Sequence, residues 1–172
     1  VHVLGKVATD DPDRMGDLIA AIRQPDRSPQ RLFTCSAANE LAPFGTKARA
    51  AVPDLLRALR SPAVPNDLAP LAIVAALGAI GPDAAAASPT LEGIARDERA
   101  AGWLRATAVR SVAQIRSFDR YRMTPGDPDP LLLSLLDELA EDGNPDVHRA
   151  VTEHRQNIER ALESLDHDPV EL

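Results

Sequence analysis

Apolar residues recur three and four positions apart along most of the chain and nowhere keep the strict alternation of a strand. That period gathers them into a stripe on one side of a helix. Leu68, Leu71, Ala72, Ala75 and Ala79 form one such stripe, widened by Val74, Leu77 and Ile80. Gly81 then offers a permissive stop, and Pro82 cannot continue the helix. A second stripe follows through Leu91, Ile94 and Ala95, with Pro89 in its opening turn, where a missing N–H costs little. Ser28, Asn66 and Asn144 mark further helix starts as capping side chains. The pattern predicts an all-α chain with helices at 12–24, 28–43, 47–60, 67–80, 84–97, 101–117, 130–141 and 145–165.

The stripes repeat in register. Shifting Glu40–Leu59 by 36 residues onto Ala76–Ala95 places Leu41 on Leu77, Phe44 on Ile80 and Gly45 on Gly81. Beyond the glycine, Ala48 meets Ala84, Ala51 meets Ala87, Pro53 meets Pro89 and Leu55 meets Leu91. Looser copies flank these. Leu4, Val7, Leu18 and Ile22 precede them at a shift of 37; Val112, Ile115, Pro130, Leu132 and Leu136 follow, interrupted by the insertion RSFDRYRMTPGDPD. The Gly-Pro break at Gly81 is therefore a hinge inside a repeating helix pair, which must stack on its neighbours to bury its apolar side.

The shared pattern A-x-x-L-G-x-I-G-P-x-A-x-x-A-x-P-x-L, best matched at Ala38–Arg60 and Leu71–Arg96, resembles the HEAT-repeat family in its short bacterial, PBS-lyase-like form. The resemblance implies a right-handed α-solenoid of about 3.5–4 helix pairs, first helices convex and second helices lining a concave face. It encodes packing and not a site. On this reading residues 1–172 form one solenoid domain, 117–129 an enlarged hinge loop, and 145–165 a capping helix with the stripe Val147, Val151, His154, Ile158, Leu162, Leu165. VHVLGKVA reads as the tail of a helix, so further repeats are expected upstream of Val1.

Composition agrees with closely packed helices. Hydrophobic residues make up 44% of the chain but aromatics only 3%, which favours a core of Leu, Ala, Val and Ile over a large aromatic pocket. The stripes are too short and interrupted to predict a membrane span. Because further chain is expected upstream, a leader would not be visible in these residues, and the location stays unknown, with cytoplasmic as the default. Cys35 is the single cysteine and is expected to pack in the core. The net charge of −7 is uneven. Residues 1–118 carry 14 Lys and Arg against 12 Asp and Glu, whereas 119–172 carry 5 against 14. An acidic end of this kind is usually a solvated face.

Catalytic chemistry finds no support in the residue spacing. His148 and His154 are six apart and do not share a helix face, unlike metal-binding pairs at i and i+4. Asp142–Asp146 and Asp127–Pro130 lack the spacing of a calcium loop and are expected to be turns and caps. No glycine-flanked serine and no phosphate-cradling loop occurs, and no cofactor is predicted. Lys47, Arg49, Arg57, Arg60, Arg96, Arg99 and Arg105, with Trp103, outline a basic stripe, but Asp54, Glu92, Asp97 and Glu98 dilute it. The expected role is a non-catalytic scaffold or adaptor that binds another protein or another domain of its own chain. Its contacts are expected from the second-helix residues Asp54, Arg57, Glu92, Arg96, Asp137 and Glu138, and from Phe118, Tyr121 and Arg122 of the hinge loop. The competing readings implied by the resemblance are a DNA-repair-like nucleic-acid module or a bilin-lyase-type enzyme using the same groove.

Overall fold

The computed structural model describes residues 11–24, 31–61, 68–121 and 129–166, without the side chains of 117–121 and 164–166. Among the described residues every regular element is helical. The α-helices are α1 Pro12–Arg23, α2 Leu32–Leu41, α3 Val52–Leu59, α4 Ala69–Ile80, α5 Ser88–Arg96, α6 Gly102–Tyr121, α7 Pro130–Glu138 and α8 Pro145–Asp166. Each of the eight expected helices is present. Val1–Ala8, Ser28, Asn66 and Arg122 lie outside the described residues.

Three helices begin with the same device, an Asp-Pro or Asn-Pro pair. The Asp11 carboxylate accepts from the Asp13 and Arg14 backbone N–H groups at 3.0 and 3.2 Å. Asp129 does the same for Leu131 and Leu132 at 2.8 and 3.4 Å, and the Asn144 side-chain oxygen for Asp146 and Val147 at 3.0 and 3.4 Å. A proline at the first helical position has no N–H to leave unsatisfied and is already set to a helical φ. The acidic turns around Asp129 and Asp142–Asn144 are thus caps, as their spacing predicted.

Several boundaries differ from expectation, among them the end of the 130–141 helix, which stops at Glu138. The backbone is helical as far as Tyr121, so the first residues of the expected 117–129 loop belong to α6. 3₁₀ turns, Ala42–Ala51 broken at Gly45 and Gly81–Ala87, precede the second helices, which become α-helical only at Val52 and Ser88. Pro53 and Pro89 stand just inside these α starts, where a missing N–H costs little.

The 36-residue register survives as geometry. Leu41 and Leu77, Ala48 and Ala84, Ala51 and Ala87, and Leu55 and Leu91 are all fully buried, while Pro53 and Pro89 are both exposed. Gly45 and Gly81 hold nearly the same backbone conformation, φ 55°, ψ −133° and φ 74°, ψ −141°. Side-chain-bearing residues rarely adopt this region, so the glycine is what allows the chain to reverse.

The first helices of successive pairs lie in a row: α2 packs on α4, α4 on α6, and α6 on α8. Small residues draw them together. A side chain at Gly78 would come within 2.8 Å of Ser111 Cβ, and the Ser111 hydroxyl donates to the Val74 carbonyl at 2.9 Å. The second helices pack against this row, α1 on α2 and α3, α3 on α4, and α5 on α6. By length and hydropathy alone the helical run Ala69–Arg96 is apolar enough to cross a membrane, but 61% of its apolar 18-residue window is buried among its neighbours and Gly81 breaks it. Cys35 is half-buried against the core. Along α8, Val147, Ala150, Val151 and Ile158 are buried, and the stripe opens at Leu162, which is 41% exposed.

Gly81 and Gly93 separate backbone strain from packing, because a methyl group at either would meet nothing within 4 Å. Gly81→Ala is expected to cost about 1–3 kcal/mol through the forbidden φ alone. Gly93→Ala, inside α5, is expected to stabilise by about 0.5–1 kcal/mol. Thermal melts check both, at roughly 2–4 °C per kcal/mol for a chain of this size; equal effects from the two would contradict the hinge assignment.

Candidate interaction surface

Charged side chains on the second helices pair with residues about one repeat away. Arg23, at the end of α1, reaches Asp54 of α3 at 2.9 Å, and Arg57 closes on the same carboxylate. Arg96 of α5 donates to both oxygens of Glu138 on α7 at 3.0 and 2.9 Å, and lies 3.3 Å from Glu92. Hydrogen bonding to Glu138 leads the interactions that raise the Arg96 pKa above its ordinary value, against some desolvation. Glu92 also receives Arg116 of α6 at 2.6 Å, and Arg116 lies 3.4 Å from Asp129. Asp137 pairs with Arg155 of α8.

Two arginines do structural work deeper down. Arg105 is nearly enclosed; its Nε donates to the Ala95 carbonyl at the end of α5 at 2.9 Å. Its guanidinium grips Asp142 through two contacts, one of them 3.3 Å. Burial pushes the Asp142 carboxyl up, but Arg105 and the Asn144 backbone N–H outweigh it and hold the pKa below 3.8. Arg31 similarly donates to the Ala58 carbonyl at 2.7 Å, near the end of α3. Arg105 thereby satisfies a carbonyl that the end of α5 leaves open, whereas the Ala58 carbonyl also accepts from the Ser61 backbone N–H at 3.3 Å.

The predicted site residues therefore divide. Asp54 was expected on an open ridge, but its side chain is only 3% exposed and both its oxygens are occupied, so it holds α1 to α3. Glu92 is likewise half-enclosed between Arg96 and Arg116. Arg57, Arg96, Asp137 and Glu138 keep an open side, with Asp137 71% exposed. Arg96, Glu98, Glu138 and Glu141 rim an open polar hollow of about 740 Å³. Phe118 and Tyr121 stand on the last turns of α6, and their side chains lie outside the described ones. The basic stripe is also reduced, since Arg57, Arg96 and Arg105 are each engaged by a carboxylate. Trp103 is half-exposed at the start of α6.

Sequence reasoning missed Arg23, Arg116 and Arg155, and placed Arg105 in the basic stripe and Asp142 in a turn without pairing them. A signal existed: opposite charges 31, 42 and 37 positions apart face one another in adjacent pairs, as do Arg23–Asp54, Arg96–Glu138 and Arg105–Asp142.

On the first-helix side a cleft of about 520 Å³ opens between α4, α6 and α8. Ile80, Ala113, Ile158 and Ala161 make it largely apolar, and His154 is the one ionisable residue that lines it. Desolvation lowers the His154 pKa from 6.5, helped by Arg110 and opposed by Glu153. Among the described residues no cluster of three or more His, Cys, Asp and Glu is arranged to hold a metal ion. No family model, curated protein or solved structure matches the chain.

Arg105 and Arg96 should respond differently to truncation. Arg105→Ala leaves Asp142 buried without its partner and is expected to cost about 3–5 kcal/mol. Arg96→Ala breaks largely exposed pairs and is expected to cost no more than about 1 kcal/mol. Urea unfolding of both variants decides it.

Proposed function

We propose that the chain is a non-catalytic, HEAT-type solenoid scaffold whose second-helix face binds another protein or another domain of its own polypeptide. The observation that supports this most directly is the exposed outer half of the charge ladder. Arg57, Arg96, Asp137 and Glu138 lie on three second helices and are held by pairs that solvent already weakens. Exposed pairs of this kind contribute about 0–1 kcal/mol each, so a partner's charges can replace them at small cost. Their inner members stay fixed, which keeps the surface rigid while its outer charges exchange. The mixed signs suit a protein segment carrying both acidic and basic groups better than a polyphosphate backbone, which needs an uninterrupted basic track.

The test is affinity capture with nuclease-treated and untreated arms, comparing the wild type with an Asp137→Lys, Glu138→Lys double variant. A defined protein that survives nuclease, and that the variant retains at least about tenfold less well, supports the scaffold. Equal retention by the variant would remove this surface from the reading. Recovery of nucleic acid alone, lost with nuclease, would replace the scaffold with a nucleic-acid module.

A further inference from the structure

We propose that α8 is a pH-sensitive cap, docked onto α6 while His154 is neutral and released from Val151 onward when His154 takes up a proton. His154 Nε2 is shut off from solvent and has no hydrogen-bond partner among the described residues. A neutral ring tolerates this when Nε2 is the unprotonated nitrogen. A protonated ring carries N–H on both nitrogens, so a charged donor would be buried without an acceptor.

The surroundings offer little compensation. The helix α4 contains no ionisable residue, and it lines the cleft with Gly78, Ala79 and Ile80. The hinges contribute Thr46, Gly81 and Pro82, and α6 contributes Ala113 and Gln114. The charged groups that act on His154 are Glu153 on α8 and Arg110 on α6. They lie 3.7 Å apart and pair with each other, so Glu153 is already engaged and Arg110 opposes a second positive charge.

The position makes the effect local. The first turns of α8 are held by the Asn144 cap and by buried Val147 and Ala150. Past His154, among the described side chains, Ile158 is the one that is buried, and Leu162 is already open. The segment with least to hold it therefore contains the group that resists charge, which is how a sub-global opening unit arises. The sign follows from linkage. The docked state disfavours the imidazolium, so docking is strongest above 6.5, the value in a released helix, and weakens as pH falls below it.

Hydrogen exchange on the full chain at pH 7.5 and 5.5, expressed as protection factors, tests this. Protection over residues 151–161 should fall by up to about tenfold at pH 5.5, the limit set by titrating one group one unit below 6.5. Protection in α2 and α4 should not change, and His154→Leu should keep α8 protected at both values. A parallel loss across the chain, or a loss that persists in His154→Leu, overturns the proposal. If that variant fails to fold, ring titration of the wild type by NMR decides the question. A His154 pKa below 6.5 with selective loss in α8 sustains the cap, and a value at or above 6.5 overturns it.

Discussion

The helix α4 sets the terms for everything around it. Its twelve residues, APLAIVAALGAI, include no charged or polar side chain, and eight of them are buried. Such a helix has no face to offer water. It has to be largely enclosed, and it is: α2 lies on one flank, α6 on the other, and α3 and both hinges cover most of the remainder, with Ala75 and Ala79 left exposed. Gly78 lets Ser111 of α6 come close. The close approach also explains why Ser111 can lie against α4, since its hydroxyl finds the Val74 carbonyl and is not left unpaired.

Enclosure of α4 leads directly to the arrangement of charge. Stacking helix pairs edge to edge brings the end of each second helix beside the next first helix, and helix ends carry open carbonyls. Arg105 fills that role at Ala95, while Arg31 reaches the Ala58 carbonyl within its own helix pair. Farther out, Arg23, Arg96 and Arg155 tie neighbouring helices through carboxylates. The inner contacts are enclosed and depend on both partners being present; the outer ones are weak individually and exchangeable. The cleft beside His154 differs in kind, because there the compensating charges are lacking and the helix edge depends on an uncharged ring.

Much of this was readable along the chain. The eight helices, their caps at Asp129 and Asn144, and the matching of Gly45 with Gly81 follow from period, capping chemistry and the steric freedom of glycine. These are local properties: a few consecutive residues contain the whole physical cause. Asp54 shows where that stops. Its place in the pattern is that of a polar residue on an amphipathic helix, which predicts exposure; it is buried because Arg23 arrives from another helix. The length of α6 shows the same limit, since a phenylalanine and a tyrosine in a run of arginines carry no helix stop and none that is local decides the boundary.

What the sequence determined alone is therefore the repeating unit: two helices, a glycine that lets them reverse, and an apolar side that cannot stay in water. What only the tertiary structure decided is which charges meet and that His154 Nε2 meets no partner among the described residues. Arg105 with Asp142, Arg96 with Glu138, and His154 with no partner at Nε2 depend on the angle and offset between stacked pairs. Those quantities are set by summed packing across many residues, and electrostatic contacts change over a few ångströms, so no short stretch of sequence contains them.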